Sequence, residues 1–386
     1  MGRLLRSIAA IACALTLAGC IAPKDFDGGA ATIRLLNTPA ESPPATKTVY
    51  FVTTRCTNDA TPVTPGSAQE LFRKRCWDAA HGDAEMLRLG FGMAESGKVT
   101  CGSATVTVAT NGTAGAATTV GTPVLVDCAA LAQAVTTSGC RCAFMLVHGY
   151  NTTIGYGLRR TAQLALDLDY EGVPVLFSFA AGGRFADYAN DAEAVDLAAP
   201  ALHQQLLALS SGTTLDVIAH SMGARMTLRA LRQGAAPTLR YVVLAAPDVD
   251  PAEFLRLASA AAPSAKRITV YTAKYDVAMS GSAATHGGHE RTGEGLAPGT
   301  VTELQHAEII DATERATDPY AHSYFAESKI VLDDIKTMLH DGTPAQQRAH
   351  LNCTQAGAAV SCKIPCPDGL SCGPTLYQRF VHWLLD

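Results

Sequence analysis

Charge is scarce in this chain. Lys, Arg, Asp and Glu make up 17% of 386 residues, against 48% hydrophobic residues. That balance excludes a disordered chain and suits a globular core. A basic excess is also missing: 30 Lys and Arg face 35 Asp and Glu, a formal net charge of −5. Nothing therefore marks a nucleic-acid partner. Beyond the first twenty residues no apolar run is long enough to span a bilayer. No internal repeat is present. The length leaves room for one large α/β domain or two small ones.

Residues 1–19 read as an address. Arg3 and Arg6 form a positive segment, and Ile8 to Leu17 an apolar one. They lead into Leu17-Ala-Gly-Cys20, which resembles a bacterial lipobox, where the cysteine is lipidated and becomes the mature N-terminus. An ordinary secretory signal with an incidental cysteine is the alternative. Without Arg3 and Arg6 the balance is 28 basic against 35 acidic residues, a formal −7. Cys20 is followed by Ile21 and not Asp, which resembles the pattern for outer-membrane sorting. The expected location is the bacterial cell envelope, lipid-anchored, at the outer membrane or its periplasmic face. Residues 20–47, with Pro23, Gly28-Gly29, Pro39 and Pro43-Pro44, read as anchor and linker.

Twelve cysteines are present, ten of them in the body at 56, 76, 101, 128, 140, 142, 353, 362, 366 and 372. An even number fits an oxidising compartment and disulfides. Cys353, Cys362, Cys366 and Cys372 cluster in the stretch 346–386 and are expected to pair among themselves. Their spacings of eight, three and five intervening residues suit a zinc ribbon poorly.

Strand and helix signals alternate. Residues 48–127 are β-rich, with strands at Thr48 to Thr54 and Ser103 to Ala109 and a short helix over 68–78. The main alternation starts at Ala143. Strands are expected at 143–147, 173–179, 215–219, 239–246 and 267–272, the last of the sheet. Helices are expected at 155–170, 187–210, 222–233, 253–262 and 323–340. Such alternation predicts a doubly wound, mostly parallel sheet.

The chemistry centres on Ala219-His-Ser-Met-Gly223. A strand, a tight turn and a helix here make a nucleophile elbow, with Ala219 and Gly223 as the small residues the bend requires. A serine hydroxyl is a weak nucleophile and needs a base. At the head of a helix, Ser221 is exposed to substrate, and the Met222 amide can hold a developing oxyanion. The structural alternative is a strand–helix junction with a capping serine.

Together with Val147-His-Gly-Tyr-Asn151, the Gly-rich turn at 182–183, Leu244-Ala-Ala-Pro-Asp-Val-Asp250 and Tyr320-Ala-His-Ser-Tyr-Phe325, these residues resemble a bacterial branch of the α/β-hydrolase superfamily. That branch is usually labelled only as hydrolase or domain of unknown function. The resemblance covers about 48–342. Residues 48–345 are expected as the hydrolase domain, with 346–386 as an addition to it. In this fold the order is nucleophile, acid, histidine. Asp276 is the candidate acid and Asp248, one strand earlier, the alternative. His322 is the candidate base, with His306 as runner-up. His340 reads as structural at a helix C-terminus. His286 and His289 lack a third metal ligand. In the oxyanion-loop position, an amide near Tyr150 or Asn151 is expected to pair with that of Met222, and His148 to shape the loop.

A serine hydrolase acting on a carboxylic ester follows, with a small-molecule or lipid acyl ester as substrate and no metal or organic cofactor. An envelope-anchored binding or structural lipoprotein on the same scaffold is the second possibility.

Overall fold

The computed structural model describes residues 33–39, 42–57, 65–67, 70–71, 74, 76–77, 83–110, 117–182, 187–296, 304, 307–356, 359–366 and 372–385. The lipobox, most of the linker, Gly183 and His306 lie outside them. Of the helix expected over 68–78, residues 70, 71, 74, 76 and 77 are helical. The described residues form two compact units, Gly29–Val217 with Gln233–Thr238, and Ile218–Arg232 with Leu239–Asp386.

The first unit holds β1 (Arg34–Leu35), β2 (Ala45–Thr57), α1 (Ala84–Leu89), β3 (Phe91–Thr110), β4 (Thr119–Val120), β5 (Val124–Val126), α2 (Cys128–Thr137), β6 (Cys142–Val147), α3 (Ile154–Asp167), β7 (Val173–Ser178) and α4 (Tyr188–Ser210). Its strands run in the order β1-β3-β2-β7-β6, with β4 and β5 on β3. The pairs β2–β7 and β7–β6 are parallel, and β3 lies antiparallel on β2. All six residues of β6, Cys-Ala-Phe-Met-Leu-Val, are buried. A strand covered on both faces reads as a continuous apolar run, because neither face can be polar. Each fully buried Val, Leu, Phe or Met side chain contributes roughly 1.5–3 kcal/mol.

Strand β8 (Thr214–His220) starts in the first unit and ends in the second. There follow α5 (Met222–Leu231), β9 (Leu239–Ala245), α6 (Pro251–Ala261), β10 (Ala265–Thr272), α7 (Val277–Thr285), β11 (Ala307–Asp311), α8 (Tyr324–Glu327), α9 (Lys329–Asp341), β12 (Asn352–Ala356), β13 (Ala359–Lys363) and α10 (Leu376–Leu385). The order β9-β10-β11-β13-β12 is parallel except for the β13–β12 hairpin. Asp250 caps α6, its side chain accepting from Ala252 N at 2.9 Å and Glu253 N at 3.1 Å, with Pro251 in the first turn.

Two sequence expectations change here. First, β10 is not the last strand, because β11 continues the sheet beside it. β11 is short, five residues, and carries a carboxylate at its second position. Glu308 is nevertheless buried, because Arg348 Nη2 (2.6 Å) and Arg267 Nε (3.2 Å) balance its charge. Second, the helix expected over 323–340 is two, α8 and α9, divided at Ser328, which is extended at φ −102°, ψ 114°. The stretch 346–386, expected as an addition, supplies β12 and β13 to the sheet edge. Arg348 fastens it, since its Nη1 also meets Asp334 Oδ2 at 2.7 Å, and all three side chains are buried.

All ten body cysteines pair: Cys56–Cys76, Cys101–Cys128 and Cys140–Cys142 in the first unit, Cys353–Cys362 and Cys366–Cys372 in the second. The tail cysteines thus pair among themselves as expected.

Candidate active site

The elbow sits where β8 meets α5. Ser221 has φ 53° and ψ −121°, a conformation that costs a non-glycine residue about 1–3 kcal/mol and persists only when its surroundings enforce it. They do. The Ser221 amide donates to Ala245 O at 2.9 Å, and its carbonyl accepts from Ala224 N (3.0 Å) and Asp248 N (3.3 Å). Ala219 is fully buried, and Gly223 is buried within α5. Met222 is the first residue of that helix, where amides have no intrahelical acceptor.

Asp276 lies at the start of α7 and is fully buried. Its two oxygens have separate tasks. Oδ1 caps the helix, accepting from Ala278 N and Met279 N at 3.0 Å each. Oδ2 lies 2.7 Å from His322 Nδ1. Burial pushes the Asp276 carboxyl above the ordinary carboxylate range, and the His322 ring and the two cap amides oppose it. For His322, burial works against the charged ring. The Asp276 charge and hydrogen bond, with Asp318 and Asp248 beyond, outweigh that and raise its proton affinity above an ordinary imidazole's.

His322 is held at three further points. Its amide donates to Asp318 Oδ1 at 3.1 Å. Its carbonyl accepts from His220 Nε2 at 3.1 Å, so that nitrogen carries the proton. The rings of His220 and His322 lie 4.4 Å apart, and His220 stacks on Phe325. His220 immediately precedes Ser221, so these contacts bring the imidazole to the elbow. Val277 N also donates to Tyr320 O at 2.8 Å, joining the Asp276 segment to the His322 segment. Burial raises Asp318 to about 6, against the bond from the His322 amide.

Asp248 is placed differently. It is buried, accepts from Ser282 Oγ at 2.6 Å, and pairs with Arg291 Nε at 2.7 Å. His286 Nδ1 lies 2.8 Å from Ser282 O, and His289 is exposed.

The first unit builds the loop at 148–152. His148 Nδ1 lies 2.8 Å from Gly149 O, and its Nε2 lies 3.1 Å from Ser178 Oγ. Burial first, then the charge of Arg55, holds His148 down to about 3, so it is a neutral ring at any working pH. Arg55 is fully buried; a register shift in β2 on either side of it marks the irregularity. It donates to Ser178 Oγ (3.0 Å), Ala181 O (3.0 Å) and Thr152 O (2.6 Å). The Ser178 hydroxyl thus accepts from Arg55 and donates to His148. Asp191 bridges the same two turns, accepting from Asn151 N (3.0 Å) and Gly182 N (2.7 Å), with burial raising it to about 6. The Asn151 amide is therefore engaged, and its side-chain Oδ1 is buried with no hydrogen-bond partner. Tyr150 packs edge-on against Tyr188.

Sequence reasoning missed Arg55, Asp191, His220 and Asp318. Arg55 had a signal, a lone charge at the end of an apolar strand. The others look like ordinary polar residues until the fold brings their partners to them.

The family model described as "Alpha/beta hydrolase of unknown function (DUF900)" matches residues 128–340, more than half of the chain. Comparison with curated proteins finds no match.

Proposed function

The chain belongs to the DUF900 family of α/β hydrolases, and from that premise we propose that it is a serine hydrolase cleaving a carboxylic ester through an acyl-enzyme on Ser221. The observation that carries this is the hydrogen bond from His322 to buried Asp276, on an imidazole held by the residue next to a strained serine.

In the first half-reaction Ser221 Oγ bonds to the acyl carbon while His322 Nε2 takes its proton. Asp276 keeps the other ring proton on Nδ1 and balances the charge of the imidazolium. The carbonyl oxygen becomes an oxyanion, held by the Met222 amide, a contribution on the order of 10²–10³ in rate. The oxyanion collapses, the ester C–O bond breaks, and His322 returns its proton to the departing alcohol. In the second half, water gives a proton to His322 as its oxygen bonds to the acyl carbon; the oxyanion collapses, the acyl C–Oγ bond breaks, and His322 returns the proton to Ser221 Oγ, releasing the acid. The Asn151 amide, one of the expected oxyanion donors, is engaged by Asp191 instead.

The same proposal places the protein in the bacterial envelope, anchored through Cys20. The lipobox and five disulfides support it. Among the described residues no helix is long and apolar enough to cross a membrane.

The test is labelling with a fluorophosphonate and mapping of the modified residue. Label on Ser221, lost with turnover in Ser221→Ala while the fold is retained, is the expected result. An unlabelled Ser221 with no turnover overturns the proposal and leaves the binding-lipoprotein alternative; undiminished turnover in the variant overturns Ser221 as the nucleophile.

A further inference from the structure

One of the five disulfides differs from the rest. Cys140 and Cys142 are 2 positions apart, whereas the other pairs span 6, 9, 20 and 27. A bridge restricts the unfolded chain through the loop it closes, and the restriction grows with loop length. Cys140–Cys142 closes over Arg141 alone, so the fold gains least from it. The turn is also held without it. Arg141 N donates to Ser138 O at 3.0 Å, Thr214 N donates to Arg141 O at 3.0 Å, and Arg141 Nη2 donates to Gly212 O at 3.1 Å. These bonds tie the turn to the end of α2 and to the start of β8. Exposure sets the same pair apart. Among the described residues, which include all ten body cysteines, Cys140 is the one cysteine that is exposed. Its partner Cys142 is 8% exposed, at the head of buried β6. Arg141 between them has φ 50°, in the left-handed region that L side chains rarely adopt. Its charge stands one residue from each sulfur, and a neighbouring cation favours thiolate over thiol.

We propose that Cys140–Cys142 is a thiol–disulfide exchange site and not a staple, with free thiols as its substrate and exposed Cys140 as the sulfur attacked. This chemistry is independent of Ser221. A substrate thiolate bonds to Cys140 Sγ, the Sγ–Sγ bond breaks, and Cys142 leaves as a thiolate. A second substrate thiolate attacks the substrate sulfur of the mixed disulfide and frees Cys140. Two thiols are thereby oxidised to one disulfide, and the bridge takes up their two electrons and two protons as a pair of cysteine thiols. Exposed and strained bridges are the ones that exchange, whereas buried staples resist reduction. Arg141 joins the two conditions here, since the closed ring and the turn bonds together keep a non-glycine residue at positive φ. Because the same bonds remain when the S–S bond opens, the two thiols stay close and the bridge can close again.

The test equilibrates the folded, purified protein in glutathione buffers of graded reduced-to-oxidised ratio. Samples are quenched with acid, alkylated and mapped by mass spectrometry. The Cys140–Cys142 pair should open at a ratio [GSH]²/[GSSG] about tenfold or more below that of any other bridge, which corresponds to about 30 mV. Brief exposure to glutathione should place the mixed disulfide on Cys140 and not on Cys142. Before the other bridges open, each chain should yield about one equivalent of oxidised glutathione. Cys140→Ser with Cys142→Ser should abolish that yield and leave Tm little changed. A reduced single-cysteine peptide run in parallel separates the sources of thiol: a faster rate with the peptide assigns the bridge to protein thiols, and a faster rate with glutathione to small thiols. Opening of Cys140–Cys142 together with or after another bridge overturns the exchange site, as does a mixed disulfide that forms first on another cysteine. Unfolding of the wild type as this bridge opens also overturns it and makes the bridge a staple. The wild-type titration reads all of these outcomes whether or not the double variant folds.

Discussion

Asp276→Asn separates the acid's two tasks. In the wild type Oδ1 accepts from the amides of Ala278 and Met279, and Oδ2 faces His322 Nδ1. Asparagine has one acceptor and one donor group. The cap amides need the acceptor, so the side-chain oxygen stays with them, and Asn caps about as well as Asp. The NH2 group then faces His322 Nδ1 and forces that nitrogen to accept. The ring proton moves to Nε2, the atom that must take the proton of Ser221. The base is present but in the wrong tautomer. In serine proteases the corresponding change costs about 10⁴ in kcat, and a loss of about 10³–10⁴ is expected here, with Tm little changed. The pH profile sharpens the test. A base works unprotonated, and His322 binds its proton more tightly than an ordinary imidazole. The acidic limb of wild-type kcat/KM should therefore lie above about 6.5. Removing the Asp276 charge leaves burial dominant, so the residual activity should show that limb at lower pH. Steady-state kinetics on a chromogenic ester, with calorimetry, measures both. Near-wild-type kcat, or a limb moving upward, would refute the assignment.

Asp248→Asn should do the opposite. It leaves buried Arg291 without its counter-charge, costing about 3–5 kcal/mol and lowering Tm by about 10 °C, while kcat falls less than tenfold; a crippled kcat at unchanged Tm would move the acid to Asp248. Peptide mapping without reduction should recover Cys353–Cys362 and Cys366–Cys372, and free thiols throughout 353–372 would contradict the pairing. Cys20→Ser should block lipid attachment and leave the protein unprocessed at this site; wild type recovered wholly soluble with an unmodified Cys20 would remove the anchor.

Local sequence was enough for the architecture. Apolar runs such as Phe144 to Val147, helical spacing after Met222, and the small residues Ala219 and Gly223 around Ser221 announce a parallel sheet and an elbow, because strand burial, helix periodicity and turn sterics act within a few residues. Strand β11 escaped, because Glu308 disguises it until Arg348, forty residues later, neutralises the charge. The helix break at Ser328 escaped too, since nothing in a stretch without Gly or Pro demands it. The site divides in the same way. Ser221, its helix-head amide and the order of acid and histidine were legible from local pattern and resemblance. Fold resemblance favoured Asp276 over Asp248, but the 2.7 Å contact of Asp276 with His322, 46 residues on, comes only through packing. The capture of Asn151's amide by Asp191, and the burial of Arg55 behind the 148–152 loop, likewise belong to the tertiary structure alone. A buried polar group must find its partners wherever the chain happens to bring them, and no sequence pattern records where that is.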